Sequence, residues 1–267
     1  MKRLHLMVAS GLMLLLALLV GCASMTDAVI GGAVSGMSRA VSERAANAVY
    51  KKMAPKEKLP PPATPGWNQF MALQAQIVFA YSFSPGGLWI SRTGYQPGQY
   101  AKFRWTDEED GSDVLIERAY LKQEDTGNQW WRVSWTEGED AWVYEALINP
   151  SEGDLLRLRA KDADGNEGEV PVQEGTTIFT EPSQPSEESI EGATVGQETV
   201  TTPAGTFQTD HVQYMAATGE GNIDWWISEQ VPGGVVKYQL TDKEEGTLWT
   251  NTLIEDGSNA TTVLQSY

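Results

Sequence analysis

Cysteine is all but missing from this chain: Cys22 is the only one in 267 residues, so no intrachain disulfide can form. Histidine is nearly as scarce, with two in all, His5 and His211. No G-x-S-x-G, H-E-x-x-H or phosphate-loop signature is present. A catalytic triad or a zinc centre therefore has almost nothing to be built from. The 36 carboxylates could contain a glycosidase pair, but no spacing singles out two of them. The expectation is a non-catalytic protein without a cofactor. Basic residues are outnumbered 19 to 36, for a net charge of −17, and such a surface repels phosphate backbones, which disfavours nucleic-acid binding. An apolar run of the ~20 residues needed for a membrane-spanning helix is absent as well.

The longest apolar run is Leu12 to Val20. It follows Lys2 and Arg3 and ends in Leu19-Val20-Gly21-Cys22. A charged start, a short apolar core and a small-residue end are the parts of an export signal, here residues 1–21. The end also resembles the lipobox of bacterial lipoproteins. That resemblance implies that Cys22 receives a diacylglycerol, that the signal is cut before it, and that the new amino terminus is acylated. Each buried methylene contributes about 0.8 kcal/mol, so three acyl chains make an effectively permanent anchor. Ala23 and Ser24 follow the cysteine, not the aspartate that retains such proteins at the inner membrane. The resemblance thus implies an outer-membrane lipoprotein facing the periplasm. Loss of Lys2 and Arg3 takes the mature chain to 17 basic and 36 acidic residues, a net −19.

Residues 22–53 continue as an amphipathic helix: Ile30, Val34, Met37, Val41, Ala45, Ala48 and Met53 keep a helical spacing. Gly32 and Gly36 form a GxxxG, which admits either a tether lying on the body or bilayer or a helix–helix contact. Residues 54–66, APKEKLPPPATPG, hold five prolines and read as a semi-rigid linker.

From residue 67 the pattern is β. QIVFAYSF (76–83), QYAKFRW (99–105), VLIERAYLKQ (114–123), NQWWRVSW (128–135), AWVYEALI (141–148) and DLLRLRAK (154–161) are short runs of aromatic and branched residues. Turn signals such as Pro97-Gly98, Asp125-Thr126-Gly127 and Asp164-Gly165-Asn166 separate them. This predicts a mainly β fold of antiparallel sheet, as a sandwich, a barrel or a curved half-barrel. A first β-rich half (67–175) gives way to an acidic Pro/Ser connection (176–193) and a second β-rich half (194–267). The second half carries ETVTTPAGTFQTDHVQY and WWISEQVPGGVVKYQL, and a final strand is expected in NATTVLQSY. Over residues 195–267 this composite resembles uncharacterised periplasmic β-proteins related to the LolA/LolB lipoprotein-carrier fold. The resemblance implies a curved sheet whose concave face can hold an acyl chain.

The adjacent pair Trp225–Trp226 raises the question of a ligand platform. Strand neighbours point to opposite faces, so Ile223, Trp225 and Ile227 share one side and Asp224, Trp226 and Ser228 the other. Trp225 is then core, and Trp226 lies on the polar side near Asp224 and Lys237. There it either covers that face or, with Trp131, lines a groove for an apolar or sugar ligand. Val231-Pro232-Gly233-Gly234 fits a type II turn within a longer loop starting at Ser228. In KDADGNEGE, the oxygens of Asp162, Asp164, Asn166 and Glu169 resemble half of a calcium loop, but the same residues fit a hairpin turn. Two functions follow from the whole. One is binding of a lipid or other apolar ligand in envelope assembly or trafficking, which needs an open apolar face. The other is a structural or interaction subunit of an envelope complex, in which the chain fills that face itself. A carbohydrate-binding or glycosidase-like module, with exposed coplanar aromatics, is a third.

Overall fold

A computed structural model describes residues 64–83, 94–176, 186–215, 221–242, 244 and 246–267. The signal, Cys22 and its lipobox, the amphipathic helix and most of the proline-rich linker lie outside these residues. The described chain forms α1 (Pro65–Phe83), β1 (Tyr100–Asp107), β2 (Asp113–Gln123), β3 (Gln129–Glu137), β4 (Asp140–Asn149), β5 (Asp154–Lys161), β6 (Glu167–Val170), α2 (Glu187–Ala193), β7 (Thr194–Thr202), β8 (Gly205–Met215), β9 (Gly221–Ile227), β10 (Val235–Asp242) and β11 (Gly246–Gly257). The fold is mainly β, as the alternation implies. All eleven strands join one unclosed antiparallel sheet, in the order β6-β5-β4-β3-β2-β1-β11-β10-β9-β8-β7. The first and last strands pair at its centre, Phe103 opposite Leu253, so both halves of the sequence belong to a single sheet.

That sheet is rolled in its second half. Three strands separate β7 from β11, which at ~4.8 Å per strand would hold them about 19 Å apart in a flat sheet. Instead, Cα atoms of β7 lie within 8 Å of β11. The inner face is mostly apolar, with Arg118 and Asn251 among its few buried polar residues. In the first half Ile116, Val133, Trp135, Trp142, Tyr144 and Leu158 are buried on it, and in the second half Phe103, Val212, Trp225, Tyr238 and Leu253.

Helix α1 covers the first of these patches. The apolar run 76–83 is thus helix, not the strand its branched residues Ile77 and Val78 suggest. It continues a helix begun at Thr64, whose Oγ1 accepts from the Trp67 N–H at 3.4 Å, and Pro65 occupies the first turn, where no N–H is needed. The last residues of the sequence-derived linker therefore start a helix. Trp67, Met71, Ala75, Val78 and Phe79 follow the helical period and are buried without remainder against β2–β6. Two polar pins fix the helix. The Trp67 indole donates to Asp162 Oδ2 at 2.8 Å, and Tyr144 Oη donates to Gln74 Oε1. At its far end Arg118 Nη1 donates to the Ser82 carbonyl at 2.7 Å, placing a cation where the helix carbonyls end. The Arg118 guanidinium is buried over the Phe103 ring at 4.6 Å, and burial lowers its pKa.

The second patch is filled by the chain's own strands, by Ile190 of α2 and by Val231 of the β9–β10 loop. This loop closes with Ser228 N–H donating to the Gly234 carbonyl at 2.8 Å, and its inner turn with Gly234 N–H donating to Val231 at 2.8 Å. Gly233 takes φ +74, as the third position of a type II turn requires, and a Cβ there would meet the Tyr95 ring at 2.2 Å. Strain and overpacking both oppose a side chain, so Gly233→Ala is expected to cost about 2–4 kcal/mol in chemical denaturation.

The C-terminal residues correct a second expectation. NATTVLQSY is no strand: residues 258–267 leave the sheet and cross the outer face of its first half. Glu145, fully buried on β4, accepts from Val263 N–H at 2.7 Å, Thr262 Oγ1 at 2.6 Å and Ser266 Oγ. Arg132 donates to the Thr261 carbonyl, while Leu264 is buried and Tyr267 packs on Trp130 at 5.7 Å.

Candidate functional site

The residues with most chemistry outside the core gather around Trp226. Its place follows from register: Trp226 lies opposite His211 of β8 on one side and Lys237 of β10 on the other. All three turn to the outer face. The His211 ring stacks on the indole, centroids 4.5 Å apart and planes 17° apart, and Lys237 Nζ lies 4.5 Å from the indole centroid. Glu198, from β7, accepts from the Trp226 indole N–H at 3.1 Å. His211 is held between two carboxylates, Nδ1 to Glu198 Oε1 at 2.9 Å and Nε2 to Asp224 Oδ1 at 2.7 Å. Gln213 Nε2 also donates to Asp224 Oδ1, at 2.8 Å. Both ring nitrogens of His211 thus face carboxylate oxygens.

The electrostatics are those of a pinned network. The Trp226 hydrogen bond holds the Glu198 carboxyl below its ordinary 4.5, with His211 and Lys237 adding to the effect. A carboxyl lowered in the fold contributes stability above its unfolded value and loses it as pH falls through the folded one. Half of the Glu198 side chain is exposed, so the effect is modest. Glu198→Gln is therefore expected to flatten the loss of melting temperature below pH 4.5, with little change at pH 7.

Chemically the cluster is a network of charged and aromatic side chains bonded to one another. Both nitrogens of His211, the single histidine among the described residues, are engaged by carboxylates. Neither is left to draw a proton from a hydroxyl or a water. Trp226 retains only 9% of its exposure beneath its neighbours, so the indole offers no broad stacking face.

The structure separates the two tryptophans singled out from sequence. Trp131 pairs with Tyr120, stacked at 4.7 Å, and meets Tyr95 edge-on at 5.3 Å. The register from Trp131 through Arg118, Phe103 and Leu253 to Tyr238 puts it on the inner face with Trp225. Trp226 is on the outer face, and an odd–even offset along the strands keeps the two from lining one groove. The candidate calcium ligands are also dispersed. Asp162 is buried, accepting from the Trp67 indole and from Asn166 N–H at 2.8 Å, while Glu169 is drawn to Arg157 at 3.0 Å. The loop has the hydrogen bonding of a hairpin turn, and among the described residues no three His, Cys, Asp or Glu side chains are placed together to hold a metal ion.

What the sequence could not show was the company His211 keeps. Glu198 and Asp224 lie thirteen residues before and after it. Pairing β7–β8 and β8–β9 as consecutive hairpins brings them to its two ring nitrogens.

On the other side of β7 and β8 from this cluster lies a polar groove of about 400 Å³. It is bounded by Gln197, Gln208, Asp210, Ser228, Glu229 and Gln230, where β7 and β8 run past the end of β9.

No family model matches the chain, and neither does any curated protein. Among solved structures, a chain of the Pseudomonas aeruginosa MucA/MucB complex is similar at 12% identity and a TM-score of 0.42, over 73% of this chain and 61% of that one. This chain thus spans under two thirds of that chain's length. A putative exported protein with a YmcC-like fold from Bacteroides fragilis is similar at 12% identity and a TM-score of 0.30, over 62% of this chain and 98% of that one. A putative lipoprotein from Parabacteroides distasonis gives 12% identity and 0.30 over 62% and 97%. Values this low carry no argument about function. No helix among the described residues is long and apolar enough to cross a membrane.

Proposed function

We propose that this chain is an outer-membrane lipoprotein, acylated at Cys22 and facing the periplasm, whose β body is a non-catalytic interaction module in the cell envelope. The anchor rests on the Leu19–Cys22 sequence. The role of the body rests on one observation: the apolar face that would hold a lipid is occupied by the protein itself. Helix α1 lays five buried side chains on one half of it, and aromatic and branched residues of the strands fill the other. A surface that has satisfied its own hydrophobic demand is available to partners through its edges and its charged outer face. The lipid-carrier reading requires α1 to leave that face, against the burial of Trp67, Met71, Val78 and Phe79 at about 1.5–3 kcal/mol each.

The anchor is tested by radiolabelled palmitate fed to an expressing bacterium. The chain is expected to take up label and to fractionate with outer membranes, and Cys22→Ser to abolish labelling. Unchanged labelling in the variant would remove the lipoprotein assignment. The interaction role is tested by cross-linking in intact envelopes, where discrete adducts with another protein are expected and an exclusively monomeric chain would count against it.

A further inference from the structure

The two edges of the sheet are treated differently. At one end β6 is four residues long, and its Glu167 and Glu169 are tied to Arg159 and Arg157 of the neighbouring strand. That is a guarded edge, short and charged. At the other end β7 runs nine residues, TVGQETVTT, with no lysine and no proline. Val195, Gln197, Glu198, Thr199 and Thr201 are exposed, and Val195 keeps 59% of its surface. Among the described residues no strand pairs with its outer side, although the roll brings part of β7 within 8 Å of β11.

The direction of its free backbone groups can be derived. The Glu198 carbonyl faces β8, where it accepts from Thr209 Oγ1 at 3.0 Å, and Glu198 lies opposite Thr209 in the register. Along an antiparallel strand the N–H and C=O of one residue point to the same edge, and successive residues alternate. Gln197, Thr199 and Thr201 therefore turn theirs outward. The polar groove opens beside this edge, with the carboxylates of Asp210 and Glu229 among its walls. Glu187, Glu188 and Glu191 of α2 precede it in the chain. An incoming strand would meet unpaired backbone on one side and negative charge beside it.

We infer that the outer edge of β7 is a docking site for an extended, basic segment of a partner protein, which adds to the sheet as a further strand and sets a lysine or arginine against Glu229 in the groove. The backbone of residues 197–201 supplies the main hydrogen bonds, and the groove selects for charge. This inference deepens the interaction role proposed above and rests on it.

The test uses the full chain in detergent and two labelled ten-residue peptides, one alternating lysine with valine and one alternating glutamate with valine. Thr199→Pro removes one outward N–H without touching the β8 ladder, and Glu229→Lys reverses the charge in the groove. The lysine peptide is expected to bind and to slow amide exchange in residues 197–201. Both variants should weaken it at least tenfold, with melting temperatures within a few degrees of the parent. The glutamate peptide should not bind. Absence of exchange protection at the edge, or equal binding by parent and Glu229→Lys, overturns the inference even if Thr199→Pro fails to fold. A dimer of the parent that Thr199→Pro dissolves would assign the edge to a second copy and overturn it as well. Envelope cross-links that survive both changes would leave the interaction role standing and remove the edge from it.

Discussion

Replacing Glu145 by alanine is expected to destabilise the protein by about 3–5 kcal/mol and to free its last ten residues, because several buried donors of the strap lose their common acceptor, at about 1–3 kcal/mol for each group left unsatisfied. The carboxylate is fully buried on β4, in register with Arg132 of β3 on one side and Arg159 of β5 on the other. It is the common acceptor for Thr262 Oγ1, Val263 N–H and Ser266 Oγ. Alanine leaves those donors without a partner beneath the strap, while the Arg132–Glu117 ion pair at 2.8 Å stays in place. Glutamine keeps one acceptor oxygen but turns an amide N–H toward groups that can only donate or prefer to. Glu145→Gln is therefore expected to fall between the parent and alanine. Each kcal/mol moves the midpoint by about 2–4 °C in a body of this size, so alanine should lower it by about 6–20 °C. Limited proteolysis should then cut within residues 258–267 and in the parent should not. A melting temperature within two degrees of the parent would mean that the strap is not anchored through Glu145.

Trp67→Ala is expected to cost about 3–5 kcal/mol, the usual loss for a large aromatic removed from a packed site. Trp67 has no exposed surface, and its indole is one of the donors to the buried Asp162. Two functions are thus lost together: the volume under α1 and the polar pin from the helix to the β5–β6 turn. Trp67→Phe removes the pin and keeps much of the volume, so it should cost less. Asp162→Asn in combination with it should show a coupling of about 0.5–3 kcal/mol, since the two residues share one interaction. Loosening α1 also uncovers Trp135, Trp142 and Tyr144 on the inner face. The alanine variant should accordingly enhance the fluorescence of an apolar dye that the parent leaves dark. A parent that binds the dye as strongly as the variant would show that the face is open without mutation, contrary to the proposed role of the body.

Alternation and turn residues were enough for the strands, because a half-buried strand writes its two faces into the chain as Ile223–Trp225–Ile227 against Asp224–Trp226. The loop from Ser228 to Gly234 was legible for a similar reason: proline and two glycines leave few turn conformations. Helix α1 was hidden because it is apolar around most of its surface, so Ile77, Val78 and Phe79 read as strand until Thr64, Pro65 and Trp67 are seen to begin the same helix. The strap was hidden because Leu264 is apolar for packing on the outer face, and the strap's polar groups bond to Glu145 and not to a neighbouring strand. The association of His211 with Glu198, Asp224 and Lys237 needs the register of four strands, which no local pattern contains. The same register puts Trp131 and Trp226 on opposite faces, a relation invisible to any reading that counts tryptophans without following odd and even positions across the sheet.

The claim that the body fills its own apolar face is tested most directly by native mass spectrometry of the full chain, extracted from bacterial membranes in a mild detergent, before and after organic extraction. The account predicts the mass of the polypeptide from Cys22 with its covalent acyl groups, unchanged by extraction. A stoichiometric adduct of lipid mass that extraction removes would contradict it, and would assign the inner face beneath α1 to a lipid ligand.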